Sequence, residues 1–111
     1  MDEIKVGDAQ EFTFVTASGR FYQTAIQFAG RGDYVPSFCQ TAKPSRTNVP
    51  SFSPNMPMNA RGGVAAQFLE LAKHAERLEK IVEVFIHTGP KLISKEQIEA
   101  IYPGVVVVWE Q

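Results

Sequence analysis

The chain has 111 residues, 44% of them hydrophobic, which is enough for one compact domain with one core and too little for two. Eleven basic residues against twelve acidic ones leave a net charge of −1, so no global electrostatic attraction to nucleic acid or to an anionic membrane is expected. The single cysteine, Cys39, excludes an intrachain disulfide framework and a zinc site built on several thiolates, and no apolar run approaches the roughly 18 residues a membrane span needs.

Residues 1–10 are polar and read as a lead-in to a single α/β domain over residues 11–111. In Glu11 to Thr16, Phe12 and Phe14 alternate with Thr13, and in Phe21 to Ala29, Tyr22, Thr24, Ile26 and Phe28 alternate with Gln23, Ala25 and Gln27. That pattern predicts a β-hairpin with one face inward. Gly30-Arg31-Gly32-Asp33 then breaks the strand. From Pro36 to Ala60 the chain carries five prolines among Ser, Thr and Asn with no sustained period, which predicts a long loop over residues 36–60. Phe38, Phe52, Met56 and Met58 give that loop something to bury, whether it is pinned across the core or acts as a lid over a ligand.

A glycine-opened amphipathic helix follows. Val64, Phe68, Leu71, Ala75 and Leu78 recur at alternating four- and three-residue steps and share one face. Gly62 and Gly63 stand where a capping Ser, Thr, Asp or Asn is commoner, and a helix start bared in this way attracts anions. Ile81 to Ile86 is too continuously apolar for a strand with one face in water and is expected inside the sheet. Ser94-Lys95-Glu96-Gln97 has the spacing of a capping box and predicts a short helix through Ile98 and Ile101, stopped by Tyr102-Pro103-Gly104. Val105 to Trp109 is a last buried strand, interior or covered by a second chain, since its edge would be hazardous if left unpaired; a homodimer is one way to cover it. The strand, short helix and strand form a βαβ unit with parallel strands. The whole is a β-β-α-β-α-β mixed sheet of about four to five strands with two helices, the hairpin supplying the antiparallel edge.

In such an arrangement ligands collect beyond the carboxyl ends of the strands, where helix N-termini converge. Asn59, Arg61, Gly62 and Gly63 at the first helix, and His87, Thr88, Lys91 and Ser94 before the second, are the expected lining of one cleft. Arg61 and Lys91 supply charge, the bare N–H groups supply donors, and His87 is either a proton carrier or a strand-end imidazole satisfied by the backbone.

With these elements in place the chain resembles the cytidine-deaminase-like superfamily, most of all the compact deaminase domains of bacterial polymorphic toxins, over roughly Glu11 to Trp109. In that family the central helix opens with a zinc-binding His and a proton-shuttling Glu in a His-x-Glu signature, and the next helix opens with Pro-Cys-x-x-Cys. Here the matching positions are Gly63-Val64-Ala65 and Gly89-Pro90-Lys91-Leu92-Ile93-Ser94, which keep the proline and none of the ligands. His74-Ala75-Glu76 spells the triplet, but mid-helix, where residues two apart diverge; Glu76 is expected to pair with Lys80. The resemblance therefore implies the fold without a metal or cofactor. It points to a non-catalytic module for a protein, nucleotide or nucleic acid partner, or to a metal-independent toxin-type nuclease using His87 with Arg61 and Lys91. The setting it implies is the cytoplasm, reached directly or as part of a secreted toxin.

Overall fold

A computed structural model describes residues 4–39, 56–57, 62–87, 89 and 91–109. The strands are β1 (Ala9–Thr16), β2 (Phe21–Gly30), β3 (Asp33–Cys39), the two-residue β4 (Met56–Pro57), β5 (Ile81–Ile86) and β6 (Val106–Trp109). The helices are α1 (Val64–Leu78) and α2 (Lys95–Ile101). One mixed sheet runs in the order β4-β3-β2-β1-β5-β6, antiparallel throughout except for the parallel pair β5 and β6. The α/β class, the mixed sheet and the two helices are as the sequence predicts.

The hairpin forms in the expected register, with Phe12 opposite Thr24 and Phe14 opposite Tyr22. It is not an edge. β1 lies between β2 and β5, and the chain continues beyond β2 into a third antiparallel strand where a loop was expected from Pro36 on. Proline has no N–H to give a ladder, which is why it argues against a strand, yet Pro36 sits opposite Ile26 near the margin of the sheet, where among the described residues only the two-residue β4 lies further out. The turn before it holds Gly30, Arg31 and Gly32 all at positive φ, so two glycines here relieve strain that a side chain would meet. The remainder of the proline-rich stretch, residues 40–55 and 58–60, lies outside the described residues.

Both helices cover the same side of the sheet. Phe12, Phe14, Tyr22, Ile26, Val84, Ile86 and Val107 form one buried cluster with Phe68, Leu71 and Ala75 of α1 and Ile98 of α2, so the helices form one layer against the sheet. Phe68 is its centre, edge-on to Phe12 at 5.4 Å and to Phe14 at 5.9 Å. Of the five residues expected on the inner stripe of α1, Leu78 departs: it is 53% exposed in the last turn, while Gln67 and Ala72 are buried beside the stripe. The terminal strand departs more. β6 ends the sheet order, and Val106 is 62% exposed, so only Val107 of this strand is fully inside.

Candidate functional site at the start of the first helix

The strand directions bring one set of chain ends to one rim. β2, β5 and β6 end there, β1 and β3 begin there, and α1, which returns directly into β5, begins there too. So does α2. Its lead-in is tied to Gln10 at the start of β1, whereas the lead-in of α1 is tied to Tyr34 at the start of β3. Since β2 separates those two strands, the helix starts are offset by about 10 Å along the rim.

At α1 the Gly62 carbonyl accepts a hydrogen bond from the Tyr34 N–H at 2.9 Å. Gly62 has φ +149°, where a side chain is strained, and a Cβ there would stand 3.2 Å from the Gln67 side-chain nitrogen, which would have to give way. Gly63 is the opposite case. It is the N-cap residue at φ −64°, ψ 155°, the extended geometry a capping Ser or Asp adopts, with open space where a Cβ would go. Even so there is no side-chain cap, and no acidic residue in the first turn. The first helical bond runs from Gln67 N–H to the Gly63 carbonyl at 3.1 Å, so the N–H groups of Val64, Ala65 and Ala66 have no partner within the helix. Gln67 itself leans back toward this start, as helical side chains do. It is only 3% exposed, and its Oε1 has no hydrogen-bond partner among the described residues. A buried amide oxygen left in that state costs about 1–3 kcal/mol, so the start of α1 holds N–H groups without a helical partner beside an acceptor unanswered among the described residues.

The start of α2 is closed by its own chain. Ser94 Oγ accepts from Gln97 N–H at 3.1 Å, and Gln97 Oε1 accepts from Ser94 N–H at 2.9 Å, the capping box that the spacing predicts. Gln10 Oε1 accepts from the N–H groups of Leu92 and Ile93 at 2.7 and 2.8 Å, and Gln10 Nε2 donates to the Ile93 carbonyl at 3.2 Å. The Lys91 ammonium donates to the His87 carbonyl and stands 4.9 Å from the Trp109 ring centre. Lys91 and Ser94, both expected to face a ligand, are thus engaged in shaping the rim.

His87 is placed elsewhere. Its ring is 4% exposed and Nε2 shares a 2.6 Å hydrogen bond with Thr13 Oγ1, while the ring edge meets Phe85 at 5.0 Å. Thr13 alternates with Phe12 and Phe14, which face the helices, so the imidazole lies on the other side of the sheet from α1. Cross-strand from His87 is Glu11, whose carbonyl accepts the His87 N–H and whose half-buried carboxyl is held above its usual pKa by desolvation. Of the expected lining, Gly62 and Gly63 stand together, Lys91 and Ser94 serve α2, and His87 is on the far face; Asn59, Arg61 and Thr88 lie outside the described residues.

Two residues that matter here escape the apolar pattern of the sequence. Gln10 falls in the polar lead-in, though it extends the Phe12 and Phe14 stripe by one step; a polar residue on an inward stripe is the signal that marks it. Gln67 carried the same signal, next to Phe68 on the buried side of α1.

The donor set does not fit zinc. Gly63, Val64 and Ala65 offer no ligand, Lys91 to Ser94 offer no thiolate, and no three His, Cys, Asp or Glu side chains group to hold a metal among the described residues. His74-Ala75-Glu76 lies within α1, and Glu76 Oε1 accepts from the Ile81 N–H at 3.1 Å instead of reaching for Lys80. No helix is long and apolar enough to cross a membrane among the described residues. Comparison with known protein families, curated proteins and solved structures found no match.

Proposed function

We propose that this chain is a non-catalytic binding module on a deaminase-like scaffold, and that it takes the phosphate of a nucleotide at the start of α1. The observation that carries this reading is the pairing at that start of an N-cap residue with room and geometry for a cap but no side chain, and a buried Gln67 oxygen without a partner. Backbone N–H groups at a helix start suit a phosphate oxygen, and the amide oxygen suits a hydroxyl donor next to it, a combination a nucleotide presents. With a net charge of −1 the protein lacks the field that holds a polyanion at many phosphates, which favours a mononucleotide over a nucleic acid strand or an acidic protein segment. The order of hairpin, helix, strand, helix and strand supports the deaminase-like scaffold, and the lack of a fitting donor set among the described residues supports a binding role. The nuclease reading needs His87 to meet a substrate, and its ring is buried against Thr13 and Phe85. A nucleotide ligand suits action in the cytoplasm, reached directly or by delivery as a toxin domain, and the β6 edge gives a second copy a place to pair.

The test is a calorimetric titration with nucleoside monophosphates and with the matching nucleosides, alongside assays for their turnover. Saturable binding of the monophosphates, at least tenfold tighter than the nucleosides, reduced at least tenfold in Gly63→Asp and without turnover, supports the module. Equal affinity for nucleoside and nucleotide, unchanged binding in Gly63→Asp, or turnover of the nucleotide contradicts it.

A further inference from the structure

A second site lies away from the rim, between α1 and the C-terminal end of α2. An open groove of about 360 Å³ is lined there by Leu69, Ala72, Lys73, Glu76, Arg77 and Tyr102. Leu69, Ala72 and the Tyr102 ring make it apolar, and the volume is at the small end of the range for small-molecule sites. Lys73 and Arg77 stand one helical turn apart, a like-charge pair that works against an isolated helix. Neither has an ion-pair partner among the described residues. The carboxylate nearest to hand, Glu76, is turned to the backbone N–H of Ile81 at the start of β5. An apolar floor and two cations without an ion-pair partner among the described residues line one groove.

We infer that this groove binds a small carboxylate with an apolar body, its hydrocarbon lying on Leu69, Ala72 and the Tyr102 ring and its charge shared by Lys73 and Arg77. The Arg77 guanidinium matches a carboxylate in two parallel hydrogen bonds, and Lys73 adds a point charge. A polyanion is disfavoured because Glu76 itself lines the groove.

The probe is 2-naphthoate, with neutral 2-naphthamide as its uncharged counterpart, each followed by backbone amide shifts of the full chain. Naphthoate should produce saturable shifts centred on Leu69, Ala72, Lys73, Arg77 and Tyr102, with the amide at least tenfold weaker. The double variant Lys73→Gln, Arg77→Gln should lose at least tenfold in affinity. The single variant Arg77→Gln, at an exposed position, should weaken naphthoate about threefold. That second variant keeps the test decisive should the first fail to fold. Equal binding of the two probes, no saturable shift, shifts centred on any other surface, or undiminished affinity in a folded double variant or in Arg77→Gln would overturn the inference.

Discussion

The two helices begin on the same rim and are finished in opposite ways. α2, only seven residues long, has a reciprocal capping box at Ser94 and Gln97 and a lead-in held by three hydrogen bonds from Gln10. α1, twice that length, begins on two glycines with no cap, although Gly63 has the backbone angles and the space for one. A short helix needs its ends satisfied because it has little else; a long one resting on Phe68, Leu71 and Ala75 can leave its first turn open without unfolding. The difference lies in what closes each start, side chains at α2 and none from the N-cap residue at α1.

The largest effect should come from opening the closed start. Gln10→Ala strips two buried N–H groups, those of Leu92 and Ile93, of their acceptor, and should cost about 2–4 kcal/mol in urea unfolding. Ser94→Ala removes one cap bond on exposed backbone and should cost about 1 kcal/mol by the same measurement. Closing the open start should act the other way: Gly63→Asp gains a cap, a favourable helix-dipole contact and a stiffer unfolded chain, and should stabilise by about 0.5–1 kcal/mol while abolishing phosphate binding. If Gly63→Asp instead destabilises, the first turn of α1 is not open as described.

The smallest effect belongs to the sheet face turned away from both helices. The Glu11 carboxyl is held above its ordinary value of 4.5 by burial, so the folded state binds its proton more tightly than the unfolded state does. Its contribution to stability is therefore present at low pH and lost as pH rises through the raised value. Glu11→Gln should stabilise the protein at pH 7 by about 0.3 kcal/mol, since the group keeps much of its water, and the gain should vanish in thermal scans well below pH 4.5.

Local pattern carried most of what was legible. Alternation placed β1, β2 and the core side of both helices, and the Ser94 to Gln97 spacing specified a cap that forms with both its bonds. What was not legible depended on partners distant in the chain. Pro36 argued against a strand because nothing local says it will lie near the sheet margin. Gln10 acts on residues more than eighty positions away. For His87 the strand end was right but its side was not: whether an imidazole at the end of β5 points to the helices or away is set by the β1 register, which pairs Phe12 with Ile86 and so puts Glu11 and Thr13 beside the ring. The edge position of β6 likewise follows from strand order, which four apolar residues in a row do not encode.

The most direct test of the contrast between the two helix starts is a titration of the protein with inorganic phosphate, followed by the amide shifts of both first turns in the parent chain and in Gly63→Asp. Saturable movement of Val64, Ala65 and Ala66, with Glu96 and Gln97 still and the whole response lost in the variant, is the expected result. Equal response at both starts, or none at α1, would contradict it.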